Sequence, residues 1–165
     1  MIVVADPGPL IHLAAIGQLE LIHRLAPDVW VPRAVFDEVV LVGAGLPGSE
    51  AVRTATWIRV VSPTRGEVVA ALLAGGLHLG EAQAIALAVE MGADRLLMDE
   101  RQGRLTAEAM GVAVVGSIGI LIAAKTRGDV IAVAPHLSAL RASGLWLSDA
   151  LIATVLMSIG ESAGS

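Results

Sequence analysis

The sequence predicts an α/β domain in three layers, a parallel sheet with helices on both faces. Two observations carry the prediction. Short apolar runs alternate with longer helical segments, which implies crossover connections rather than hairpins. The chain is also unusually apolar: hydrophobic residues make up 55% of 165, and 18 glycines come on top of them, where about half is usual for a similar apolar set. A sheet covered on both sides uses such an excess, and an apolar face reserved for a partner or a second copy would add to it. At this length a single domain, residues 1–165, with a substantial core is expected.

The elements follow in order. Residues 2–5 read as the first strand, and Asp6-Pro7-Gly8-Pro9 leads from it into helical stretches at 10–16 and, past Gly17, 18–25. A short strand at 29–31 precedes Pro32, which suits the first position of a helix running to about residue 42. The glycine-rich segment 43–48 leads to a short helix around 49–55 and a strand at 57–61. The second half repeats the alternation, with helices near 67–74 and 81–91, a strand at 95–98, a helix at 101–110, a strand at 112–115 and a helix at 118–125. Helices near 134–142 and 149–159 close the chain, with Ser148 suited to cap the last. No repeat and no linker divides it.

Charge and composition exclude several functions. Eleven Lys and Arg against sixteen acids give a net charge of -5, so nucleic acid cannot be held by a broad basic surface. Stacking is equally unpromising, because Trp30, Phe36, Trp57 and Trp146 are the aromatic residues apart from histidine. Any nucleic-acid chemistry must rest on a local site. Ten of the eleven basic residues are Arg, which suits bidentate phosphate contacts, although a bias toward Arg and Ala codons explains it equally well. Without cysteine there is no disulfide framework, no thiolate nucleophile and no cysteine-held zinc. The longest uncharged stretch, 109–124, is sixteen residues and is interrupted at Gly116-Ser117, short of the ~20 a spanning helix needs. A cytoplasmic protein without a membrane partner is expected.

Four acids stand out. Asp6 ends the first apolar run and Asp99 follows Leu96-Leu97-Met98, so two carboxylates cap two expected parallel strands. In open α/β sheets the ligand site lies outside the carboxyl ends of the strands. Glu38 sits at the margin of its helix's apolar face, whereas Asp37 is four residues from Arg33 in an exposed pair. Glu81 opens a helical segment, where the dipole alone would favour a carboxylate. Each acid also has a structural explanation: Asp6 and Asp99 as turn residues, Glu81 in a helix's first turn and Glu38 as a solvated helix glutamate. Their joint placement raises the functional reading, and hard cations such as Mg2+ need such oxygen ligands.

The matching motifs are Ile2-Val3-Val4-Ala5-Asp6 with Pro9-Leu10-Ile11, Val31-Pro32-Arg33-Ala34-Val35-Phe36-Asp37-Glu38, Gly80-Glu81-Ala82-Gln83-Ala84, Leu97-Met98-Asp99-Glu100-Arg101 through Arg104, and Ser148-Asp149-Ala150-Leu151-Ile152. With these, nearly the whole chain resembles the PIN-domain family, the fold of many metal-dependent ribonucleases and of toxins in toxin–antitoxin pairs. The resemblance implies a three-layer α/β/α domain in which Asp6, Glu38, Glu81 and Asp99 hold Mg2+ or Mn2+. Arg101 and Arg104, just beyond Asp99, could hold a phosphate by charge-assisted hydrogen bonds, while the resemblance implies an RNA substrate and Ser117 as the hydroxyl that relatives often carry there. It also implies a small cognate antitoxin, and the apolar excess suggests a homodimer. Arg101 and Arg104 could instead pair with Glu100 or Glu108. Pro7-Gly8 stands where relatives often have Thr-Ser, and Glu81 where many have Asp. The lost hydroxyls leave room for a second reading, a catalytically degenerate module kept for binding a partner.

Two rivals fail on context. Gly43-Ala44-Gly45-Leu46-Pro47-Gly48 is a literal GxGxxG, and Ser62 and Arg65 would suggest NADP, but eight residues between Gly48 and the strand at Trp57 are too few for a parallel crossover. His12, His23, His78 and His136 show no ligand spacing and read as surface or cavity histidines, with His78 three residues before Glu81. No GxSxG surrounds Ser117.

Overall fold

The computed structural model describes residues 1–46 and 48–162. Strands β1 (Val3–Ala5), β2 (Val29–Val31), β3 (Ile58–Val60), β4 (Arg95–Leu97) and β5 (Val114–Val115) form one parallel sheet in the order β3-β2-β1-β4-β5. In the centre, Val3, Val4 and Ala5 of β1 and Leu96 and Leu97 of β4 are fully buried. Their unbroken apolar runs reflect a sheet covered on both faces, where alternation has no solvent side to serve.

Helices α1 (Pro7–Ala15) and α2 (Glu20–His23) join β1 to β2. Helix α3 (Arg33–Asp37), a π-helical turn Glu38–Val42 and α4 (Ser49–Thr54) join β2 to β3. Helices α5 (Gly66–Ala74) and α6 (Leu79–Met91) return the chain to β4, α7 (Arg101–Ala109) leads to β5, and α8 (Ser117–Arg127), α9 (Ala134–Ala142) and α10 (Asp149–Ser158) follow. Right-handed crossovers going to opposite edges place their helices on opposite faces. Accordingly α1 packs with α4, α8 and α9, whereas α6 packs with α5 and α7, and α3 also reaches across to α6. Leu10 and Leu13 of α1, Ile85 and Leu87 of α6, and Ile120 and Leu121 of α8 fill the core, each worth about 1.5–3 kcal/mol of burial.

The structure departs from the sequence expectations at several boundaries. Helix α1 begins at Pro7, three residues earlier than expected, because a proline at the first helical position has no N–H to leave unpaired. Pro32 is one position outside its helix, in extended backbone, and the helix it precedes does not stay α-helical to residue 42. From Glu38 it widens into the π turn, with the Gly43 N–H donating to the Glu38 carbonyl at 3.0 Å. This overturns the dinucleotide-binding alternative: residues 39–42 are helical, so no strand precedes Gly43. Gly48 has φ +92 and lies against Ala14, which leaves no room for a side chain. Among the described residues no helix is long and apolar enough to cross a membrane.

Candidate functional site

Strands β1 and β4 lie side by side, and the chain leaves them for opposite edges of the sheet. This is the topological switch point, where open α/β sheets bind ligands beyond the strand carboxyl ends. Asp6 follows β1 there, its N–H donating to the Leu97 carbonyl of β4 at 2.9 Å. Asp99 lies just past the end of β4. A cleft of about 370 Å³ opens at this point, and Asp6, Glu38, Glu81 and Asp99 all line it, together with His12 and His78.

Asp6 bears the strain of this convergence. Its side chain sits in a residue only 4% exposed, and Oδ1 is buried with no hydrogen-bond partner. Burial, then the charges of Glu81 and Glu38, push its pKa up to about 8, with Asp99 adding to them and the Gly8 N–H opposing. Glu38 is raised as well, by burial and then by Glu81, against a counteracting His78. The π turn starts at Glu38, and such irregularities are frequent at functional sites. Gly80 clears space for this side chain, since a Cβ there would lie 3.0 Å from Glu38 Oε2.

Asp99 has the opposite environment. Burial would raise its pKa, but His12, the Ser117 hydroxyl and the Ser117 N–H together hold it below the ordinary value. The Ser117 N–H donates to Oδ1 at 2.7 Å, while the Ser117 hydroxyl at 2.6 Å and His12 Nδ1 at 2.7 Å reach Oδ2. Capping of α7 falls instead to Glu100, which accepts from the Gly103 N–H at 2.8 Å, so Asp99 is not a mere turn residue. Glu81 does have a structural duty. It stands at the third position of α6 and accepts the His78 N–H at 3.1 Å.

One assignment changes. Ser117 was expected to meet substrate, but it is fully buried with its hydroxyl committed to Asp99, so it acts through that carboxylate. His12 and His78, read as surface or cavity histidines, both line this cleft. Nothing local in the sequence could have paired His12 with a residue 87 positions away. Arg101 and Arg104 line a recess with Asp99, Leu105 and Glu108, adjoining the cleft through Asp99.

The residues fit a hard divalent cation by their chemistry. Carboxylate oxygens are the donors such ions take, and a positive charge would offset the burial and the repulsion that raise Asp6 and Glu38 while giving Asp6 Oδ1 a partner. Among the described residues no three Asp, Glu or His side chains are already set around one point to hold a metal. In the arrangement described here, Asp99 and Glu81 instead accept hydrogen bonds from the protein.

Fold and cleft thus define a class: a parallel α/β domain with clustered carboxylates at its switch point. A family model described as PIN domain matches residues 2–161, and the chain belongs to that family. PIN domains are typically nucleases, and PIN-domain nucleases generally use divalent metals. No curated protein matches the chain. Among solved structures it is similar to a PilT N-terminus domain protein from the hyperthermophilic archaeon Sulfolobus solfataricus P2. The identity is 16% and the TM-score 0.48, over 90% of this chain and 98% of that one.

Proposed function

We propose that the protein is an Mg2+- or Mn2+-dependent endoribonuclease that hydrolyses phosphodiester bonds in RNA. The observation that carries this reading is Asp6, a buried carboxylate with an unpartnered oxygen, facing three further acids in an open cleft at the switch point. Asp6, Glu38, Glu81 and Asp99 would hold the cation. When bound, it would activate a water for attack on phosphorus and stabilise charge on the leaving oxygen. The chain's own residues supply the rest. Asp99 is oriented by His12 and Ser117, and no side-chain nucleophile is required.

Arg101 and Arg104 are assigned to the RNA phosphates. Eight of the eleven basic side chains form ion pairs with acids, and among the described residues Arg95, Arg101 and Arg104 do not. Two of these three border Asp99 in the recess beside the cleft, placed for charge-assisted bonds to a phosphate. Cleavage of RNA should therefore require Mg2+ or Mn2+ and be largely lost in Asp6→Asn and Asp99→Asn, each of which removes a ligand charge while keeping the side-chain shape. Folded variants that cleave as fast as wild type would refute the site.

We further propose that the protein is the toxin of a toxin–antitoxin pair, held inactive by a small cognate antitoxin, and that it forms a homodimer. The apolar surface supports an association: Leu41 and Val42 of the π turn and Leu46 are exposed, Val42 to 82%. They adjoin a recess that shares Ile11 and Glu38 with the acidic cleft. Light scattering should give a dimer at micromolar concentration, and a strict monomer would remove that part. Harmless overexpression of a soluble, metal-binding wild type would remove the toxin role and leave the nuclease.

A further inference from the structure

We infer that His12 is a positioning residue of the metal site, fixing the Asp99 carboxylate in the one orientation that leaves an acceptor position for a cation. The inference rests on the nuclease reading, because it concerns how Asp99 is presented to a metal. An ionised carboxylate offers about four acceptor sites and no donor. Three at Asp99 are taken, by the Ser117 N–H on Oδ1 and by the Ser117 hydroxyl and His12 Nδ1 on Oδ2. Asp99 is therefore locked, whereas Asp6 keeps a free Oδ1.

His12 must donate from Nδ1, since its partner can only accept. In the neutral ring this leaves Nε2 without a proton. The helix makes room for the contact. Gly8 precedes His12 by four residues, on the same face of α1, and a Cβ at Gly8 would lie 3.4 Å from the Oδ2 that His12 reaches. A side chain at position 8 would press on Asp99 itself, with the new Cβ 3.3 Å from the Asp99 Cβ, so glycine there leaves the carboxylate in place to meet histidine one turn later. Hydrogen-bond partners of metal-binding groups typically change metal affinity by about 10- to 100-fold when removed.

The test is Mn2+ titration of the metal-free full-length protein by calorimetry, with melting curves to confirm folding. His12→Ala should weaken Mn2+ binding by about 10- to 100-fold. His12→Asn, whose amide N–H can take the place of the Nδ1–H, should bind nearly as tightly as wild type. The 15N spectrum of the metal-free wild type should show His12 protonated at Nδ1, a readout that does not depend on any variant folding. Wild-type affinity in folded His12→Ala overturns the inference alone, as does a His12 ring protonated only at Nε2. A loss in folded His12→Asn equal to that in His12→Ala also overturns it, because the ring itself would then be needed. A wild type that binds no Mn2+ overturns the nuclease reading, and this role with it.

Discussion

Asp6 and Asp99 are both buried aspartates of one cleft, yet their environments drive them apart, and the difference sets how the protein responds to pH. Asp6 is raised from 3.8 to about 8 by burial and by Glu81 and Glu38. Between those values the folded protein keeps a proton that the unfolded chain has lost. The metal-free protein therefore loses stability as pH rises from about 4 to about 8, and levels off above. Asp99 is lowered, so its contribution is present above its unfolded value and is lost as pH falls through the folded one. Metal-free Asp6→Asn should accordingly melt higher than wild type at pH 8, by a stability of a few kcal/mol, and the gap should close toward pH 4. Equal melting at pH 8 would show that Asp6 is not strained by its neighbours. In the proposed metal site a cation would have to displace the Asp6 proton, so Mn2+ affinity should rise with pH over the same range.

The secondary elements were legible in the sequence wherever burial and caps acted locally. The strand-helix alternation gave the parallel α/β class because buried parallel strands read as short apolar runs, and Ser148 caps α10 as expected, accepting the Leu151 N–H at 3.0 Å. The π turn was not legible: an i to i+5 hydrogen bond leaves no periodic signature in five residues such as Glu38–Val42. Pro7 was read as part of a loop because Asp-Pro-Gly-Pro looks like a turn, although proline and glycine also suit a helix start. In the candidate site, Asp6 and Asp99 could be placed together from their positions at the ends of two parallel strands, while Glu38 and Glu81, on helix segments, joined them through the resemblance to PIN domains. The partners of those acids could not. His12 and Ser117 meet Asp99 through packing between α1, the β4 end and α8, and the sequence does not encode such long-range contacts in any spacing. Glu81 shows that one residue can satisfy both explanations, since it caps α6 and also lines the cleft.

For the whole molecule, the charge distribution sets how the proposed RNA substrate would have to be held. A net charge of -5 makes the protein repel RNA at long range, and most of its cations are already paired with acids. Those pairs are largely exposed, and surface pairs of this kind contribute only about 0–1 kcal/mol each to stability. Their larger effect is to remove cations from the surface available to phosphate. If Arg101 and Arg104 are the main phosphate contacts, as proposed, and Arg95 is the other Lys or Arg outside an ion pair among the described residues, few counterions can be released on RNA binding. For single strands the logarithmic salt slope is about -0.7 per neutralised phosphate, so two or three contacts give a slope near -1.5 to -2. Raising salt from about 50 to about 200 mM should weaken RNA binding only about tenfold, against the roughly 10³ to 10⁵ seen with six to ten phosphate contacts. Arg101→Ala with Arg104→Ala should flatten the slope further while leaving Mn2+ affinity close to wild type, because neither guanidinium is a cation ligand. Binding measured by fluorescence anisotropy with catalytically impaired Asp99→Asn can follow both variables without cleavage. A steep wild-type slope, or one unchanged in the double-arginine variant, would place the RNA on another surface of the protein.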